Sequence, residues 1–124
     1  MKTILIVDDD YIICNVMSEM LCQRYKVISA SSGKEAISLF KLYKENSEEI
    51  NLVITDLIMP SMTGLDVVES ICELSQTVKI LVFSGVISQI DSYMKNRNVR
   101  IDKFLSKPIE ISNIEKEVME LLND

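Results

Sequence analysis

The sequence predicts an α/β domain: a parallel sheet with helices on both faces. Four short apolar runs, Ile4–Val7, Leu52–Thr55, Ile80–Phe83 and Phe104–Leu105, are flanked by turn-forming or polar residues. Such β-branched runs read as strands buried on both sides. Segments of helical period separate them, and the strand–helix alternation runs five times at a spacing that suits right-handed crossovers.

Taken in order, Ile4–Val7 opens the sheet and ends in Asp8-Asp9-Asp10. Ile13, Val16, Met17, Met20 and Leu21 then recur at three- and four-residue steps, which makes one apolar helix face. Lys26–Ala30 is a weak, short strand. Ser32 and Glu35 have capping-box spacing and open a second helix through Ala36, Ile37, Leu39 and Phe40. The polar stretch from Lys44 to Glu49 reads as helix end and loop. After Leu52–Thr55 and Asp56 comes the Met59-Pro60 turn, with Thr63 as N-cap of a helix through Leu65, Val67, Val68, Ile71 and Leu74. Ile80–Phe83 ends in Ser84-Gly85. Ser88 and Asp91 are spaced to cap a fourth helix carrying Ile90, Tyr93 and Met94. Phe104–Leu105 ends in Ser106-Lys107-Pro108, and Ser112 with Glu115 repeats the capping spacing before Ile114, Val118, Leu121 and Leu122.

Composition narrows the functions available. A chain of 124 residues fits one domain, residues 1–124, and 48% apolar with 26% charged residues suits a globular core without staples. The net charge of −6 disfavours direct nucleic-acid binding. Cys14, Cys22 and Cys72 form no CxxC pair and sit in helical patterns, which reads as small buried hydrophobes in a reducing compartment. Met1-Lys2-Thr3 runs straight into a short strand followed by acids, unlike a signal peptide or a membrane span. The expected location is the cytoplasm.

The chemistry sits at the strand ends, because open parallel sheets bind ligands outside the carboxyl ends of their strands. Asp8, Asp9 and Asp10 follow one strand and Asp56 another. Asp10 alone is best read as a helix cap. For the others, two like charges roughly 4 Å apart repel by about 4 kcal/mol at an effective dielectric of about 20, so a gathered set needs a cation. Carboxylate oxygens on open positions suit Mg²⁺, which keeps waters and accepts phosphate oxygens. The chain has no histidine and no cysteine near these acids, which argues against zinc. Lys107 brings a second positive charge to the end of an apolar strand, restricted to extended geometry by Pro108. Ser84 offers a hydroxyl that is either a plain turn serine or a donor to a phosphoryl oxygen.

Ile6-Val7-Asp8-Asp9-Asp10, Asp56-Leu57-Ile58-Met59-Pro60-Ser61-Met62-Thr63-Gly64, Ser84-Gly85 and Lys107-Pro108 together resemble the receiver domain of two-component response regulators. The D-x-x-M-P-x-M-x-G run is the specific part, and the resemblance covers essentially the whole chain. It implies a doubly wound, flavodoxin-like (βα)5 fold with a five-stranded parallel sheet in the order 2-1-3-4-5. By position it makes Asp56 the phosphoacceptor, Asp9 and Asp56 direct Mg²⁺ ligands, the Ile58 backbone carbonyl a further ligand, and Asp8 a ligand through water. Lys107 and Ser84 would contact the phosphoryl group, the bond to Pro108 would be cis, and Gly64 would permit the close turn into the third helix. The implied partners are a sensor histidine kinase or a histidine phosphotransfer protein. An output domain or a second copy would meet the face of the fourth and fifth helices. The implied behaviour is that of a switch rather than a turnover enzyme, with Ser84 and Phe104 as its moving parts.

Three positions depart from the family pattern. Phe104 lacks a tyrosine-type hydroxyl, so it can report only by packing, if it is more than a core residue. Ile58 and Val86 are apolar where the hydrolytic water would pass, which predicts slow self-dephosphorylation. Asn98 to Asp102 stands where a Gly-Ala pair is common. A haloacid-dehalogenase-type phosphatase shares the aspartate, Mg²⁺, hydroxyl and lysine, but it needs further acids at a later strand end and room for a cap. A receiver that only binds partners is disfavoured by the intact acid, hydroxyl and lysine set.

Overall fold

Five strands, Thr3–Val7 (β1), Lys26–Ala30 (β2), Leu52–Thr55 (β3), Lys79–Ser84 (β4) and Lys103–Ser106 (β5), pair in parallel in a computed structural model of the chain. Their order is β2-β1-β3-β4-β5, as expected from the resemblance. The structure describes residues 1–85, 94–95, 97–107 and 112–124. The expected helix around Ile90 and Tyr93, Val86, the Lys107–Pro108 bond and the cap at Ser112 lie outside the described residues or side chains. Among the described residues, no helix is long and apolar enough to cross a membrane.

The two-residue period of the strands feeds two separate cores. Leu5, Val7, Val53, Ile80 and Val82 face the helices Gly33–Glu45 (α2) and Gly64–Leu74 (α3), meeting Ala36, Phe40, Leu65, Val68 and Ile71. Ile4, Ile6, Leu52, Ile54, Leu81, Phe83 and Leu105 face the other way. They pack on Cys14, Met17 and Leu21 of helix Tyr11–Leu21 (α1) and on Ile114, Val118 and Leu122 of the C-terminal helix, Ser112–Leu122. Burying each side chain of this size contributes about 2 kcal/mol. Strands covered on both faces leave little room for a charged side chain between their ends, so the acids and the lysine appear together at the carboxyl rim.

The helix starts follow the side-chain chemistry. The Asp10 carboxylate accepts from the Ile12 and Ile13 amides at 3.0 and 3.4 Å, the capping role expected of it. Thr63 and Asp66 form a reciprocal capping box at the head of α3. At α2 only half of the expected box forms. Ser32 caps the Glu35 amide at 3.2 Å, but the Glu35 carboxylate reaches past it to the Ser31 amide and hydroxyl. The α2 helix ends at Glu45 with Asn46 as its C-cap, inside the Lys44–Glu49 stretch read as helix end and loop. Cys14 is buried, Cys72 half-buried and Cys22 exposed. The expectation of three buried thiols fails at Cys22 because it is the C-cap of α1, past the end of the apolar face.

Candidate functional site

The residues that end the strands stay on the hydrogen-bond ladder one position further. The Asp8 amide donates to the Ala30 carbonyl at 3.2 Å, the Asp56 amide to Val7 at 3.0 Å and the Lys107 amide to Ser84 at 2.9 Å. Each side chain therefore leaves from main chain held as firmly as the sheet, at the tips of the neighbours β1 and β3 and of β5, with β4 between β3 and β5.

At this rim the Lys107 ammonium donates to Asp8 Oδ2 at 3.2 Å and to Asp56 Oδ2 at 3.0 Å. The two carboxylates are only 2% and 12% exposed and the lysine 23%, so these pairs are poorly screened. Asp8, Asp9 and Asp56 each present a carboxylate oxygen, and the three oxygens lie within 4.8 Å of one another. The Asp56 carboxylate takes the Leu57 amide at 2.7 Å and the Ile58 amide at 3.4 Å on Oδ1, which leaves Oδ2 to the lysine. Asp8 Oδ1 accepts the Asp10 amide at 2.9 Å.

The charges set the proton affinities. Burial raises the Asp8 pKa above the ordinary carboxylate value and the Asp56 charge adds to it, against the Asp10 amide and Lys107, which lower it. Burial alone would lower Lys107, but its hydrogen bonds and the charges of Asp56 and Asp8 outweigh that and hold it above its usual value. Three carboxylates against one ammonium leave the rim net negative. A donor set of hard oxygens, one of them exposed on Asp9, fits a divalent cation such as Mg²⁺.

Ser84 is 1% exposed at the end of β4 and pairs in register with Ser106. Phe104 is half-buried and packs against the core shared by α2 and α3, while Phe83 beside it faces the opposite core, with the Lys107 ammonium 5.4 Å from its ring centre. Ile58 stands 57% exposed in the loop after Asp56. Gly64 is required by clearance and not by a left-handed φ: a Cβ there would sit 2.0 Å from the Asp56 carbonyl oxygen and 2.8 Å from Leu57 Cα. Its amide donates to the Leu57 carbonyl at 2.7 Å, closing the loop from acceptor to helix.

Sequence reading missed three supports of this rim. The fully buried Thr55 hydroxyl donates to the Asp56 carbonyl at 2.9 Å. Met62 packs over Gly33. Arg97 ties α3 to the chain before β5 through Asp66 at 2.6 Å and Glu69 at 3.1 Å. Thr55 was visible as a polar residue inside an apolar run, whereas the other two join distant segments and leave no local signal.

The chain belongs to the response regulator receiver domain family, whose model matches residues 4–119. Members of this family are the phosphoacceptor switches of two-component signalling; they bind Mg²⁺ at an acidic pocket and interact with histidine kinases and output domains. Among curated proteins it is similar to a putative two-component response regulator, ARR21, of Arabidopsis thaliana, with 32% identity over 91% of this chain and 18% of that protein. It is also 30% identical to a probable transcriptional regulator, ycf27, of Porphyridium aerugineum, over 98% of this chain and 48% of that one. The chain thus spans less than half the length of these two relatives. Among solved structures, a CheY-like response regulator receiver domain protein from Methanospirillum hungatei JF-1 superposes with a TM-score of 0.83 at 28% identity, over 99% of this chain and 94% of that one.

Proposed function

We propose that residues 1–124 form one receiver unit whose Asp56 accepts a phosphoryl group from a sensor histidine kinase or a histidine phosphotransfer protein in the cytoplasm. The observation that carries this reading is the Lys107 ammonium shared between the two most deeply set carboxylates, Asp8 and Asp56, beside the open Asp9. Asp9, Asp56 and the Ile58 carbonyl would hold Mg²⁺ directly and Asp8 through water; when bound, the ion neutralises charge on the transferring oxygens.

Asp56 Oδ1 is committed to main-chain amides, so Oδ2 is the attacking oxygen. It forms the bond to phosphorus as the phosphorus–nitrogen bond to the donor imidazole breaks and the electron pair leaves with that nitrogen. Lys107, already on Oδ2, moves its hydrogen bonds to the new phosphoryl oxygens, and the Ser84 hydroxyl donates to them from the end of β4. Phe104 reports the change by packing. The exposed Ile58 side chain screens the acyl phosphate from water and slows self-dephosphorylation. Contacts with an output domain or a second copy would use the face that the family resemblance gives to a fourth and a fifth helix.

Incubation with acetyl phosphate and Mg²⁺, read by intact mass, is expected to add one base-labile phosphoryl group that is absent from Asp56→Ala. Labelling that survives in Asp56→Ala refutes the acceptor assignment.

A further inference from the structure

The loop between the acceptor and α3 is held in a turn that its own residues disfavour. Ser61 adopts φ 63°, left-handed and costly for a residue with a Cβ. The turn around it is tight: the Met62 amide donates to the Pro60 carbonyl at 2.8 Å and the Ser61 hydroxyl to the same oxygen at 2.7 Å. Such a conformation persists only where the surroundings over-determine it. At one end of the loop the constraint is Gly64 against the Asp56 carbonyl. At the other it is Met62, half-buried against the α2/α3 core, whose side chain lies in a notch above Gly33 at the start of α2.

The notch exists because residue 33 has no side chain. A Cβ there would lie 2.7 Å from Met62 Sδ, 3.1 Å from Met62 Cγ and 2.7 Å from Val67 Cγ2. The methionine can bend away, but Val67 is fully buried on α3 and β-branched, so it cannot yield. Gly33 is not at a positive φ, and glycine is the poorer helix former at that position. Its use there is clearance, shared by Val67 of α3 and the Met62 side chain.

We infer that Gly33 and Met62 are positioning residues for the phosphoacceptor site. The Met62 side chain, seated on Gly33, anchors the 57–63 loop so that the Leu57 and Ile58 amides stay on Asp56 and the Ile58 carbonyl is presented to the metal. This rests on the reading of the rim as a Mg²⁺ and phosphoryl site. It assigns to α2, which contributes no group to that site, control over its geometry.

Two readouts separate this inference from the reading it rests on. The first is amide hydrogen exchange of the metal-free protein, followed residue by residue. Met62→Ala is expected to speed exchange at Gly64 and Leu57 by roughly tenfold while Ile6 and Val53 keep their protection. The second is Mg²⁺ affinity by calorimetry, expected to weaken roughly tenfold in Met62→Ala, the effect usual for loss of a group that orients a metal ligand. Met62→Leu, which refills the notch, should restore both. Leu39→Ala, a similar truncation in the same core, should lower the melting temperature with neither change. Gly33→Ala should act as Met62→Ala does, although alanine favours the helix. Unchanged Gly64 and Leu57 exchange in Met62→Ala overturns the inference whatever the Mg²⁺ result. If the natural chain does not bind Mg²⁺, the site reading fails and the exchange experiment still decides the anchor.

Discussion

The two rims of the sheet are built on opposite electrostatic rules. At the amino ends of the strands several charges and polar groups meet a complement. Lys2 binds Asp124 at 3.0 Å, Tyr25 donates to the same aspartate at 2.8 Å, Lys26 faces Glu48 at 3.7 Å, and the Asp102 carboxylate accepts the Ile80 amide at 2.8 Å. At the carboxyl ends three carboxylates crowd within 4.8 Å with one ammonium between two of them. One rim is satisfied by its own residues, and the other is left short of positive charge. A group that brings charge from outside is stabilising only at the second.

The largest expected effect breaks the crowded rim sterically. Gly64→Ala places a Cβ 2.0 Å from the Asp56 carbonyl oxygen, so we expect a loss of about 3 kcal/mol or more in urea denaturation. A loss below about 1 kcal/mol would show that the loop yields and does not fix the acceptor.

Next comes removal of the bridging ammonium. Lys107→Ala leaves Asp8 and Asp56 facing each other without a cation, and with the lysine 23% exposed the expected cost is about 2 kcal/mol in chelator at neutral pH. Added Mg²⁺ should recover part of it; denaturation curves with and without the ion that coincide would count against a shared site.

A smaller effect is expected in the response of the two rims to acid, which should have opposite signs. The folded Asp8 pKa is raised above 3.8, chiefly by burial, so the folded state holds its proton to higher pH than the unfolded chain. Its destabilising charge is therefore present above the folded pKa and is relieved as pH falls through that value towards 3.8. Asp124, held below 3.8 by its hydrogen bonds from Lys2 and Tyr25, contributes stability above 3.8 that is lost as pH falls through its folded value. In chelator, Asp8→Asn should remove a stability gain on acidification and Asp124→Asn a stability loss. The same sign from both variants would end the contrast.

The smallest effect belongs to the satisfied rim. Lys26→Ala removes an exposed pair with Glu48 and a cation–π contact 5.1 Å from the Tyr43 ring centre, so its denaturation midpoint should shift least of these variants, and less still at high salt.

The satisfied rim was almost unreadable in the sequence, and the crowded one largely readable. Acids at the ends of Ile4–Val7 and Leu52–Thr55 and a lysine after Phe104–Leu105 are consequences of doubly buried strands, so the alternation that predicts the sheet also predicts which side chains gather. The order of the strands was legible only through the family motif after Asp56. What did not show were pairings across long separations. Arg97 finds Asp66 and Glu69 because α3 and the chain before β5 lie side by side, and Met62 finds Gly33 because α2 and α3 do. Neither adjacency leaves a period. Cys22 failed for a related reason: apolar spacing marks a helix face but not where the helix stops.

The main-chain bond from the Lys107 amide to the Ser84 carbonyl, together with the Ser84–Ser106 register, has a consequence for change over time. The hydroxyl and the ammonium ride on neighbouring rungs of one ladder, so neither can be re-aimed alone. A lineage or an engineer seeking a different grip on an anion must alter side-chain length at these two positions, because sliding either strand by one residue would carry its own group off the rim and turn its own phenylalanine, Phe83 or Phe104, towards the wrong core.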